Sequence, residues 1–168
     1  MRPVPGLAIE QQPDNALFAC LLCAEAANDG EPGMSAVAQV VMNRVRHVGR
    51  WPGTIKGVIL QPWQFSCLNP NAPERDRFLT AADREPDAYA IAEFIVTEAV
   101  SGSLPDTVGP ANVYCTNGAH GTLALWGFDD SAHVAAGHPP RWYSIQCIET
   151  GITHLCAVIG RQSYGVTA

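Results

Sequence analysis

The stretch that decides the reading of this chain is Ala24–Arg44, AEAANDGEPGMSAVAQVVMNR. Glu25 closes an apolar helical stripe, because Phe18, Leu21 and Leu22 precede it by seven, four and three residues and share its face. A turn signal follows at Asn28-Asp29-Gly30, and Glu31-Pro32 launches a second helix. A carboxylate on a core-facing stripe is costly to keep charged. The carbonyls at a helix C-terminus add to that cost. Both effects favour the protonated carboxyl, which suits a general acid. Pattern alone leaves a second reading open, in which Glu25 reaches solvent or pairs with Arg44 across the two helices.

Outward from this stretch, the spacing predicts a first helix over about 15–28, capped by Asp14 or Asn15, with Gly30 as the left-handed residue that ends it. Residues 1–14 carry three prolines and read as an extended lead-in to a domain over 15–168. In the second helix Met34, Val37, Val41, Val45 and Val48 step by three or four, and Arg44, Arg46, His47 and Arg50 complement its C-terminus. Thr54 caps a short helix containing Ile55, Val58, Ile59 and Leu60. Residues 67–84 read as loop. Asp87 caps a long helix through Ile91, Phe94, Ile95 and Ala99, closed at Gly102.

The last third changes character. Asn112–Thr116 reads as a short strand and residues 117–141 as a long surface loop. Trp142–Ile148 and Thr153–Ile159 alternate around a hairpin turn at Glu149–Ile152. The fold class that follows is α+β, mainly helical, with a small antiparallel β piece near the C-terminus.

The whole chain sets bounds on function. Its 168 residues are enough for one domain with a real core. A formal charge of −6 argues against nucleic acid as the main partner. No apolar run is long enough to span a bilayer, so no stable membrane insertion is expected. The N-terminus lacks the apolar segment of a secretory signal. Synthesis in the cytoplasm is therefore expected, with the six cysteines mainly buried free thiols.

At the motifs the chain resembles the catalytic domain of SleB-type, spore cortex-lytic cell wall hydrolases. The residues that carry the resemblance are Ala24-Glu25-Ala26, Gly30-Glu31-Pro32, Ala36–Val45, Pro52–Ile59, Gln64-Phe65-Ser66, Ala111–Tyr114, Pro140-Arg141-Trp142 and Gly151–His154. The likeness spans roughly residues 15–157. It implies a lysozyme-like fold, related to lytic transglycosylases, and cleavage of the MurNAc–GlcNAc bond of peptidoglycan glycan strands. It implies Glu25 as the acid, with the muramyl C6 hydroxyl attacking C1 to leave a 1,6-anhydro end and no cofactor. Gln64, Phe65, Ser66, Tyr114 and Trp142 are the expected substrate contacts, each with a competing reading as core or loop packing.

Glu31 is the candidate second carboxylate that a water-using muramidase would need, set against a structural role at the start of the second helix. Cys20-x-x-Cys23 with His120, His133, His138 and His154 is a weak zinc signal, and no metal is expected. A Cys–His nucleophile lacks an electropositive helix start to activate it. A non-catalytic glycan-binding module of the same fold is the alternative from a different class. Without a signal or wall-binding module, the expected setting is a phage lysin, acting on the wall after release or as part of a virion with other virion proteins.

Overall fold

The computed structural model describes residues 1–47 and 51–108 in full, and beyond them the backbone of three strands, 113–116, 142–150 and 153–162. Val48 and Arg50 of the predicted second helix and the whole of the predicted loop at 117–141 lie outside the described residues. The chain divides into two compact units, Met1–Thr107 and Val108–Ala168.

The first unit is helical and built around α1, Asp14–Ala26. From Ala16 through Cys23 every side chain is buried. The expected stripe is therefore a helix enclosed all round, which its nearly unbroken apolar sequence permits. It packs against α2 (Gly30–Arg46), α3 (Ile55–Ile59) and α5 (Pro86–Ser101). The N-cap is Pro13, with no side-chain cap, so the predicted cap at Asp14 or Asn15 is displaced. Asp14 instead sits in the first turn, where its charge complements the helix dipole, and pairs with Lys56 of α3 at 3.2 Å. Ahead of α1, the fully buried Gln12 side chain gathers the lead-in by donating to the Val4 and Leu7 carbonyls and accepting from the Val4 amide.

Between α1 and α2 a single 3-10 turn, Ala27–Asp29, makes the reversal. Gly30 takes a positive φ of 65° but opens α2 rather than ending α1. Gly33 is the stricter requirement here. A Cβ at this position would lie 2.2 Å from Asp29 Cβ, next to the backbone of the preceding turn. Alanine would favour the helix by about 1 kcal/mol, but relieving the clash requires the turn to move. We expect Gly33→Ala to destabilise the protein by about 2 kcal/mol, read as a lower thermal midpoint. A midpoint at or above wild type would show that the turn yields without cost.

In α2, Met34, Val37 and Val41 are buried as predicted, whereas Val45 is only half-buried. The buried register continues through Arg44 instead. Thr54 caps α3, its side chain accepting from the Gly57 amide at 3.1 Å. Residues 67–84 are not simple loop: 3-10 turns at Ser66–Leu68 and Arg75–Thr80 lead into α4, Ala81–Arg84. In α5 the buried side takes in only Ile95 and Ala99 of those four residues. Tyr89, Ala92, Ile95, Val96 and Ala99 are buried, while Ile91 and Phe94 are exposed. Pro86 at the first turn, not Asp87, sets the helix start, and Gly102 closes it in the left-handed conformation with φ 81°.

The second unit contains a three-stranded antiparallel sheet in the order β1-β3-β2, with β1 Val113–Thr116, β2 Trp142–Thr150 and β3 Thr153–Gln162. The β2–β3 ladder carries an irregularity at Ser144/Ile145. β1 pairs only with the Thr153–Cys156 end of β3.

Candidate active site

Glu25 stands where α1 emerges from the core. The helix is buried up to Cys23, Ala24 is exposed, and Glu25 is half-buried one turn ahead of the reversal into α2. Its Oε1 accepts a hydrogen bond from Cys67 Sγ at 3.3 Å. Cys67 is buried in the 3-10 turn that follows Gln64-Phe65-Ser66, so the segment 61–69 lies over the end of α1. Burial pushes the Cys67 thiol above its ordinary range, and the Glu25 charge and hydrogen bond push the same way. Cys67 is thus held as a neutral S–H donor rather than a nucleophilic thiolate.

Two arginines hold this segment in place. Arg44 is only 3 % exposed, and its guanidinium lies 4.5 Å from the Trp51 ring centroid and 5.2 Å from that of Phe65. A planar, weakly hydrated cation is the one charged group suited to a slot walled by rings. Further along, Arg75 Nη1 donates to the Leu68 carbonyl. Arg44 of the Asn-Arg-Val motif and Phe65 of the Gln-Phe-Ser motif are therefore one structural unit, joined to Glu25 through Cys67.

The structure places the other candidates unevenly. Gln64 is half-buried and Ser66 exposed, while the Phe65 ring is buried and faces Arg44. Glu31 is exposed in the first turn of α2. Tyr114 pairs with Leu155 in the sheet, and Leu155 pairs on its other side with Ile148. Trp142 lies six residues from Ile148 along β2, about 20 Å, at the far end of the ladder opposite Gln162. Tyr114 and Trp142 are not neighbours in the sheet. The residue that sequence reasoning missed is Cys67, whose only signal was its place directly after Gln64-Phe65-Ser66.

Cys20 and Cys23 are buried free thiols in α1, each raised from 9.0 to about 12, chiefly by burial. A thiol that holds its proton more tightly in the folded state stabilises the fold fully below the unfolded value. That contribution is lost as pH rises through the window from 9.0 to about 12. Denaturant midpoints should therefore stay level through neutral pH and fall across that window. The Cys20→Ala, Cys23→Ala double variant should show a shallower fall, and an identical slope would contradict this. A separate cavity of about 260 Å³ lies between α2 and α5, lined by Gln39, Met42, Arg46, Leu104 and Asp106 among others. It contains none of the candidate residues.

The family profile described as Cell Wall Hydrolase matches residues 28–136. Two solved structures are similar: the catalytic domain of the germination-specific lytic transglycosylase SleB from Bacillus anthracis, and the catalytic domain of the SleB protein of Bacillus cereus. Each is 22% identical with a TM-score of 0.56. The first likeness covers 91% of this chain and 98% of the other, the second 92% and 94%. No curated protein sequence matches. Glu25 lies just ahead of the matched residues, whereas Arg44, Phe65 and Cys67 fall inside them. With well over half of its length matched, the chain belongs to the cell wall hydrolase family.

Proposed function

We propose that this enzyme cleaves the MurNAc–GlcNAc bond of peptidoglycan as a lytic transglycosylase, with Glu25 as its general acid and residues 15–168 as one lysozyme-like catalytic domain. The observation that carries the reading is the setting of Glu25. A half-buried carboxyl ends the central helix and is held at Oε1 by Cys67, within the segment that bears the family's Gln-Phe-Ser motif. The fold shared with a lytic transglycosylase supports the same reaction type.

The chemistry needs one carboxyl. Glu25 delivers its proton to the glycosidic oxygen as the bond to muramyl C1 breaks. The C6 hydroxyl oxygen of the same sugar bonds to C1, and its proton returns to the Glu25 carboxylate. Atoms balance without water, and the acid is regenerated. A hydrolase would instead need a second carboxylate to activate water or attack the sugar. Glu31 is exposed on the following helix rather than enclosed beside Glu25.

Digestion in water enriched with heavy oxygen separates the two routes. The transglycosylase leaves new muramic ends with no label. One heavy oxygen per new end would establish hydrolysis and send the search to Glu31.

A further inference from the structure

Trp63 stands out within the segment that covers Glu25. Its side chain is 75% exposed, and it is the one non-glycine among the described residues with a positive φ, at 66°. A single exposed aromatic is unremarkable on a protein surface. The combination is not. The left-handed conformation is strained for a bulky side chain, and at 75% exposure the ring gains little packing to offset that strain. Two residues on, Phe65 is buried against Arg44, and two further on, Cys67 is buried against Glu25. The segment thus turns its other large ring and its thiol inward and holds Trp63 outward against local preference.

The position is informative as well. Four residues separate Trp63 from Cys67, so their Cα atoms are at most about 14 Å apart. Cys67 Sγ is itself 3.3 Å from Glu25. An indole at that range is within reach of a sugar ring a few units along the strand from the bond beside Glu25. Gln64 and Ser66, half-buried and exposed, follow it in the same segment with an amide and a hydroxyl able to meet sugar hydroxyls.

We infer that Trp63 is a stacking platform for a pyranose ring of the peptidoglycan glycan strand, forming a subsite away from the scissile bond. The inference rests on the catalytic reading of Glu25. The apolar C–H face of an amino sugar covers the flat indole and removes its surface from water, which is the return that the free protein lacks. Peptidoglycan supplies such rings in a continuous row, so one platform fixes the register of the strand over the acid.

The test uses Trp63→Gly and Trp63→Phe in the full chain, with soluble peptide-free glycan strands as the probe. Glycine adopts the positive φ without strain, so Trp63→Gly should fold with a thermal midpoint no lower than wild type. Its KM for the strands should rise roughly fivefold or more with kcat within about twofold. Trp63→Phe, which keeps a ring, should recover part of the loss. Binding of the same strands to Glu25→Gln, with and without Trp63→Gly, is measured beside it. Binding unchanged by Trp63→Gly would overturn the platform even if Glu25→Gln is inactive. A marked fall in the midpoint of Trp63→Gly would also overturn it, by showing that the ring packs on the protein. Full activity of Glu25→Gln would sink the catalytic reading and leave the binding comparison to stand by itself.

Discussion

Glu25→Gln should lower glycan-strand cleavage by about a hundred- to ten-thousand-fold, the usual share of a general acid, while leaving the fold intact. Gln matches Glu in shape, and its amide oxygen can still accept from Cys67 Sγ, so the contact that anchors the 61–69 segment survives. The side chain is half-buried at a helix end rather than enclosed. The exchange should therefore move the thermal midpoint little. What it removes is the transferable proton. Rates of wall clearing and of soluble strand cleavage, measured beside the circular dichroism melting curve, check both halves. Activity within tenfold of wild type from a folded variant would reassign the acid.

Arg44→Ala should have the largest effect on stability. The side chain is 3 % exposed and fills the space between Trp51 and Phe65. Truncation removes the cation–ring contacts and leaves a void, at a cost of about 2–4 kcal/mol, or a midpoint roughly 5–15 °C lower. The loss should extend to activity, because Phe65 and Cys67 belong to the same segment and Cys67 holds Glu25. Arg44→Lys keeps the charge but not the plane that lies against two rings, and should recover only part of the stability. An Arg44→Ala midpoint within a degree or two of wild type would show that the slot closes without it.

Much of the helical unit was legible in the sequence because its signals are local. Thr54 as a cap, Gly102 as a helix stop and the turn at Asn28–Gly30 each rest on a few neighbouring residues. Glu25 as the residue to examine came from the same kind of evidence, an acid at the end of an apolar run. Less was legible wherever tertiary contact overrides the local signal. The buried face of α5 was not legible, because Ile91 and Phe94 are strongly apolar, yet the helix buries Tyr89, Ala92 and Val96, and hydrophobicity cannot tell which of two overlapping stripes meets a neighbour. The turns at Ser66–Leu68 and Arg75–Thr80 were hidden by prolines and charges that usually mark loops.

Arg44 and Cys67 illustrate the limit for the site. Arg44 reads as a C-terminal cation that complements a helix dipole, and only the approach of Trp51 and Phe65 from elsewhere makes it a buried pin. Cys67 reads as a small hydrophobe, and its hydrogen bond to Glu25 spans 42 residues of sequence. No local pattern encodes either contact. The motifs were visible as separate words; that Asn-Arg-Val and Gln-Phe-Ser meet through a ring over a guanidinium is a property of the fold.

The most direct test of Glu25 as a transglycosylase acid is mass spectrometry of purified peptidoglycan digested by wild type and by Glu25→Gln. Wild type should release fragments ending in 1,6-anhydromuramic acid, and folded Glu25→Gln should release none. The same anhydro ends from the variant, or none from active wild type, would contradict the account.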